Sequence, residues 1–98
     1  MNNQKWMVRF VFYQNGKRRE CIASGRNAQT LLCLVTAGKE GITAAEISCW
    51  AYRLGAYVHC LRKDYGLDII THTQPHEGGF HGRYELLDAV ELIEVIKP

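Results

Sequence analysis

Residues 43–66, TAAEISCWAYRLGAYVHCLRKDYG, decide the fold because they contain two helix patterns separated by a short joint. Thr43 and Glu46 have the spacing of a capping box, in which a hydroxyl and a carboxylate each bind a free backbone N–H group at the start of a helix. The pattern predicts a helix from Ala44 to about Trp50. Two turns are too few to be stable alone, so this helix must pack against neighbours.

A longer helix is predicted from Arg53 to about Asp64, after a joint near residues 51–52. One apolar stripe runs along it at spacings typical of a helix, formed by Leu54, Val58, Leu61 and Tyr65. The stripe predicts the side that docks on the rest of the protein. Away from the stripe lies a more polar set: Arg53, Ala56, Tyr57, His59, Cys60, Arg62 and Lys63.

The first 25 residues predict a β-hairpin. WMVRFVFY (6–13) is rich in aromatic and β-branched residues, which favour strands. Asn15-Gly16 is the strongest short hairpin signal, and RRECIA (18–23) supplies the second strand. A two-residue turn places Phe12 opposite Arg19, and it predicts a buried face that comprises Trp6, Val8, Phe10, Cys21 and Ala23.

The rest of the chain predicts a helix, two strands and one ambiguous segment. Asn27 is expected to cap a helix through AQTLLCLVTA that ends at Gly38. LDIITHTQ (67–74) and HGRYELL (81–87) are predicted strands, and PHEGGF is the predicted turn between them. The tail AVELIEVIKP fits a short helix capped by Asp88, and it fits a strand nearly as well.

Composition excludes several classes of protein. A chain of 98 residues forms at most one domain, and it has no run of 18 apolar residues that would span a membrane. The N-terminus lacks the apolar core of a secretory signal, so we expect a cytoplasmic protein. The four cysteines form no CxxC pair, which argues against a structural zinc site. GxxxxGK, GxSxG and HExxH are absent, and the neighbouring side chains His59 and Cys60 point about 100° apart on a helix. We therefore expect no enzyme activity, no cofactor and no metal.

Charge is unevenly distributed along the chain. The net charge is only +2. Residues 1–26 nevertheless carry six Lys or Arg side chains against the single acidic Glu20, whereas residues 85–98 carry four Asp or Glu side chains against the single basic Lys97. Such asymmetry is compatible with one side of the protein facing nucleic acid.

The order of elements is that of a winged helix-turn-helix: helix, short capped helix, polar-faced helix, then β-hairpin. A helix fits the DNA major groove, where base edges show a distinctive pattern of donors and acceptors, and the hairpin can reach phosphates. AGKEGIT, RLGAYVHCLRKDYGLDI and PHEGGFHGRYEL resemble a family of small bacterial and phage winged-helix proteins, over about residues 25–87.

The resemblance implies an α+β fold, a winged helix-turn-helix with a three-helix core and a C-terminal β-hairpin wing. In this chain an additional N-terminal β-hairpin precedes it. One domain is predicted, with the hairpin at 1–25, three helices at 26–66, the wing at 67–87 and a tail element at 88–98. The resemblance also implies binding of double-stranded DNA, as expected of a transcriptional regulator of phage or prophage origin.

The candidate contact residues lie mainly on the longer helix. Arg53 begins it, where a recognition helix usually meets base edges, and Ala56 and Tyr57 lie one turn on. His59 belongs to the same polar side. Near the C-terminal end are Arg62 and Lys63, for which phosphate contact and pairing with the helix dipole are equally good explanations.

Two further groups of candidates lie on the hairpins. Arg83 in the wing suits a phosphate contact, or alternatively a cross-strand partner for a glutamate. The cluster Lys17-Arg18-Arg19 would be a second phosphate clamp if the N-terminal hairpin extends the DNA-facing side, and otherwise a solvated tip. His76 and His81 would form a metal site only if the turn brought them together, and exposed histidines are the simpler interpretation.

A different class of function fits the same fold. Residues 43–87 carry four Lys or Arg side chains against five Asp or Glu, and phosphate contacts supply most DNA affinity. A winged-helix module that binds a protein, as an adaptor or an inhibitor of a host factor, is therefore the alternative. If DNA is the partner, one small module binds weakly, so a homodimer or tandem binding is expected.

Overall fold

A computed structural model describes residues 5–47, 53–76 and 79–98. Within these ranges, five strands and three α-helices follow one another in an α+β arrangement. In chain order they are β1 (Met7–Gln14), β2 (Lys17–Ser24), α1 (Gly25–Ala37), a 3-10 turn (Gly38–Glu40), α2 (Ala44–Ile47), α3 (Leu54–Tyr65), β3 (Ile69–His76), β4 (Gly79–Leu86) and β5 (Glu91–Ile96).

The N-terminal hairpin has the predicted register. Asn15 and Gly16 both have positive φ, at 53° and 77°, as a type I′ turn requires. Phe12 pairs with Arg19, as expected, and the neighbouring pairs follow in step. On the predicted inner face Val8, Phe10 and Ala23 are fully buried, and Phe12 joins them. The two-residue turn thus determines which side chains share a face, and the face with the apolar set joins the core.

The tail is a strand, so its interpretation as a helix is wrong. β5 pairs antiparallel with β1, giving a three-stranded sheet in the order β2-β1-β5, with a register shift between Arg9 and Phe10. The Asp88 carboxylate caps no helix. It accepts a hydrogen bond from the Asp68 backbone N–H at 2.7 Å. The N-terminal hairpin is consequently part of a larger sheet.

α1 begins two residues before the predicted cap. Ser24 occupies the N-cap position and makes no side-chain capping bond, so the prediction that Asn27 caps this helix is wrong. The Gly25 N–H donates to the Trp6 carbonyl at 2.7 Å, which fixes the turn from sheet into helix. The predicted end is confirmed, since Gly38 has φ of 57° and its N–H donates to the Leu34 carbonyl.

The core lies between the sheet, α1 and α3. The predicted stripe on α3 is confirmed, because Leu54, Val58 and Leu61 are all at most 1% exposed. Tyr65, the fourth member, is half-buried. Its ring lies 5.5 Å from that of Phe10 in an edge-on contact. The C-terminal end of α3 therefore packs against the N-terminal sheet.

Each strand of the β3–β4 hairpin extends two residues further into the predicted turn, while β3 begins two residues later and β4 ends one residue earlier than predicted. Pro75, expected in the turn, lies within β3 opposite Phe80. A two-stranded sheet leaves each strand with a free edge, where a proline costs no ladder hydrogen bond. The backbones of Ile42 and Tyr84 exchange two hydrogen bonds of 2.8 Å each. This bridge joins the segment before α2 to β4.

Candidate nucleic-acid interface

The start of α2 is fixed by its own capping carboxylate and by β4. The Thr43 N–H donates to Glu46 Oε1 at 3.1 Å, which is the carboxylate half of the predicted box. Arg83 donates to both oxygens of Glu46, at 2.9 and 3.1 Å, and to the Glu40 carbonyl at 3.1 Å. These bonds from Arg83 hold the pKa of Glu46 below its usual value. Arg83 thus positions α2 against β4. The predicted end of α2 near residue 50 lies outside the described residues.

We expect the Glu46–Arg83 pair to give the protein a distinct acid sensitivity. Because the folded-state pKa of Glu46 is lowered, its carboxylate favours folding above the ordinary carboxyl pKa of about 4.3. That contribution is lost as pH falls through the lowered value. Glu46→Gln should therefore lower the melting temperature at neutral pH and flatten its decline between about pH 5 and pH 3.

The matched variant for this test is Arg83→Gln, which removes the other member of the pair. It should give the same flattening, and the double variant should add little to either single change. Melting temperatures of all three variants across the acid range measure this. If the melting temperature of each single variant falls with pH as steeply as that of the wild-type protein, the Glu46–Arg83 pair does not contribute to acid sensitivity.

The side of α3 opposite the buried stripe is open to solvent. Arg53, Ala56, His59 and Lys63 are all exposed, and none of them belongs to the buried stripe. Tyr57 is half-buried beside them. The predicted docking of α3 therefore leaves a polar, predominantly basic helix face uncovered.

The flank of α3 next to β3 and β4 is engaged within the protein. Arg62 Nε donates to the Ile69 carbonyl at 2.9 Å, and Arg62 Nη2 donates to Thr71 Oγ1 at 2.9 Å. Gly55 lies on the same flank of α3, and a Cβ added there would be 3.3 Å from the Tyr84 hydroxyl oxygen. Arg62 thus has a structural role, but it acts through bonds to β3 and not through the pairing with the helix dipole expected from the sequence.

The basic tip of the N-terminal hairpin lies beside the C-terminal end of α3. Gln14 Nε2 donates to the Gly66 carbonyl at 3.2 Å, and Arg19 Nη1 donates to Gln14 Oε1 at 2.7 Å. Alternation along β2 puts Lys17 and Arg19 on the sheet face that carries α3, and it puts Arg18 on the opposite face. All three side chains are exposed. Two of the three cluster residues thus extend the basic surface of α3.

Sequence patterns could not reveal the bond between Gln14 and Gly66 or the pairing of Arg83 with Glu46. Gln14 lies 52 residues before Gly66, and Arg83 lies 37 residues after Glu46. Both contacts depend on how separate elements are packed together. The sequence suggested a cross-strand glutamate for Arg83, whereas its partner Glu46 lies on α2.

The wing histidines and the cysteines are the other residues considered as metal ligands. His72 Nε2 lies 2.9 Å from Glu85 Oε1 on the neighbouring strand, within hydrogen-bonding distance. The side chains of His76 and His81 are outside the described part of the structure. Within that part, no group of three or more His, Cys, Asp or Glu side chains is placed to hold a metal ion. Cys21, Cys33 and Cys60 are free thiols, and Cys49 is not among the described residues.

No helix within the described ranges is long and apolar enough to cross a membrane. The comparisons with known proteins give one match. A family model described as "Winged helix domain" matches residues 20–96, from within β2 to the end of β5. It extends beyond residues 25–87 at both ends, and so it includes the strand that completes the sheet. No curated protein and no solved structure matches the chain.

Proposed function

The chain belongs to the winged helix domain family, and on that premise we propose that it binds double-stranded DNA through α3. The observation that carries the proposal is the uncovered polar face of α3, whose opposite stripe is fully buried. A helix presented in this way can enter the major groove, where base edges are distinguishable. The resemblance described above supports a more specific role, as a cytoplasmic transcriptional regulator of bacterial or phage origin.

The geometry suggests separate roles for the exposed side chains. Arg53, at the N-terminal end of α3, is suited to bidentate contact with a guanine, and Ala56 leaves room for a base edge one turn on. His59 and Lys63 follow along the same exposed face toward the C-terminal end, where phosphate contact is expected. Tyr57 borders this face and would complete the contact surface.

Phosphate contacts are proposed for two residues of the hairpin tip. Lys17 and Arg19 lie on the α3 side of the sheet and are exposed, so they can follow the DNA backbone beyond the groove. Arg18 belonged to the same predicted clamp, but it lies on the other face. Arg62 and Arg83, unlike the exposed Arg19, are partly buried against their partners within the protein, so we assign them a positioning role.

The outer face of the N-terminal sheet favours a protein contact in addition to DNA. Met7, Ile22 and Ile96 are 40%, 55% and 37% exposed there. The outer face also carries the exposed ion pair between Arg9 and Glu94, with 3.3 Å between Nη2 and Oε1. A face with apolar groups and both signs of charge can pair with itself, so we propose a homodimer through it. The adaptor function without DNA remains the second candidate.

We expect Arg53→Ala to weaken binding to a preferred duplex by about 10- to 100-fold, because a bidentate arginine–guanine contact is worth roughly 1–3 kcal/mol. The preferred duplex comes from selection by the wild-type protein among random sequences, and affinity is measured by fluorescence anisotropy. Selected sites that form inverted repeats would indicate a dimer.

Arg26→Ala is the control for this change, since it removes the same kind of exposed side chain from the first turn of α1, outside both proposed contact surfaces. It should keep affinity within about twofold, because Arg26 touches neither partner in the proposed complex. If selection enriches no sequence, or if both variants bind as well as wild type, α3 does not read DNA. A folded protein with no preferred duplex at all would favour the adaptor function.

The salt dependence of DNA affinity tests the hairpin tip separately. Each phosphate contact contributes about 0.9 to the slope of log K against log salt concentration. We expect Lys17→Ala to reduce the slope by about 1, and we expect Arg18→Ala to leave it unchanged. Equal effects of the two variants would mean that only total charge matters, and the clamp assignment would then be wrong.

A further inference from the structure

An open pocket of about 780 Å³ lies on the side of α1 that faces the end of the sheet. Most of its lining is apolar and comes from separate elements: Trp6, Leu32, Cys33, Ile42, Ile47 and Val95. Pockets that bind small molecules have this size and this kind of lining. The pocket takes no part in the DNA contact proposed above.

The polar groups at the pocket give it a positive character. Lys97 lines it, and the Lys97 ammonium lies 5.7 Å from the ring centroid of Trp6. Within the described residues, no carboxylate forms an ion pair with Lys97. Glu46 is the acidic residue of the lining, but both of its oxygens accept hydrogen bonds from Arg83. The available charge is therefore the ammonium group.

We propose that this pocket binds a small organic acid with an aromatic or branched apolar body. The body would pack against Leu32, Ile42 and Val95, and the carboxylate would pair with Lys97. Removing such a body from water supplies most of the binding free energy, while the ion pair selects acids over neutral analogues. The Thr36 hydroxyl, exposed at the same pocket, offers a further hydrogen bond.

The pocket also borders the joint between α2 and β4. Ile42, which lines it, exchanges two backbone hydrogen bonds with Tyr84, and Glu46 pairs with Arg83. A ligand there would contact the segment that fixes how α2 meets β4. An effect of the ligand on DNA affinity follows from this position, and only that effect rests on the proposed function.

Alkylation of Cys33 tests the binding itself without DNA. Cys33 is a free, half-buried thiol in the pocket wall, whereas Cys21 and Cys60 are free thiols outside it. The probes are indole-3-propionate and its neutral amide, and N-ethylmaleimide labelling is followed at each cysteine by peptide mass spectrometry. We expect the acid to slow labelling of Cys33 by roughly tenfold at ten times its dissociation constant, and we expect Cys21 and Cys60 to react as before.

A lysine variant decides whether charge selects the ligand. Lys97→Ala should remove the preference for the acid over the amide, and Lys39→Ala, which changes an exposed lysine outside the pocket, should retain it. Equal protection by acid and amide in the wild-type protein, or no protection of Cys33 by either, would overturn the proposal. Because the assay contains no DNA, its failure would leave the DNA-binding proposal standing, and the reverse also holds.

Discussion

Phe10→Ala is expected to destabilise the protein by about 3–5 kcal/mol, the usual cost of removing a buried phenylalanine. Phe10 is fully buried in β1, and its ring contacts two others: Phe12 at 6.1 Å and Tyr65 at 5.5 Å between centroids. The second contact joins the N-terminal sheet to α3. The loss should appear as a lower urea midpoint of one cooperative transition, because sheet and helices share this core.

Tyr13→Ala is the matched control, since it truncates an aromatic side chain of the same strand on the other face. Tyr13 is 64% exposed, so the change should cost less than about 1 kcal/mol. If Phe10→Ala were no more costly than Tyr13→Ala, the hairpin would not be part of the core. Two separate transitions in either variant would likewise show that the sheet folds independently.

Gly41→Ala is expected to be the second most damaging change, at roughly 3–5 kcal/mol. Gly41 has φ of 68° and ψ of −177°, a region that is accessible essentially only to glycine. An added Cβ would also lie 2.6 Å from the Tyr84 carbonyl oxygen. That oxygen accepts the hydrogen bond from Ile42, so the clash would break the bridge between the α2 segment and β4.

Gly38→Ala separates the backbone cost from the clash. Gly38 also has positive φ, at 57°, but an added Cβ would meet nothing within 4 Å. We therefore expect it to cost about 1–3 kcal/mol, the penalty for placing a residue with a Cβ at φ of 57° and ψ of −130° without any clash. Urea unfolding of both variants measures the difference. Equal losses would mean that close approach to β4 contributes nothing at Gly41.

Elements with strong local signals were predicted well from the sequence. The Asn15-Gly16 turn determines the register of eight residue pairs, because a two-residue loop leaves no freedom in how the strands align. The stripe at Leu54, Val58 and Leu61 likewise determines the docked side of α3. In both cases the information lies within a few consecutive residues.

Elements that depend on distant partners were not predicted. The tail has apolar residues at spacings that suit a helix and a strand, and only its pairing with β1 makes it a strand. The prediction of Asn27 as the cap of α1 was wrong, because the Gly25 N–H donates to the Trp6 carbonyl and α1 begins at Gly25. Pro75 marked no turn, because its strand has a free edge to accommodate it.

The residues of the candidate site were likewise predictable only where a local pattern places them. The exposed residues of α3 follow from helical periodicity, so Arg53, Ala56, His59 and Lys63 could be selected from sequence. The intramolecular partners of Arg62 and Arg83 could not, because they lie on elements that only the fold brings together. Which side of the hairpin tip faces α3 also required the structure.

Backbone amide chemical shifts, recorded by NMR while the selected duplex is titrated in, show whether the exposed face of α3 is the part of the protein that binds DNA. We expect the largest changes along this face, at Ala56, His59 and Lys63, with smaller ones at Lys17 in the hairpin tip. A duplex of scrambled sequence should leave Ala56 less affected than Lys63, because phosphate contact persists without base contact. Changes concentrated in β5 and the outer sheet face, with α3 unaffected, would contradict DNA binding through α3.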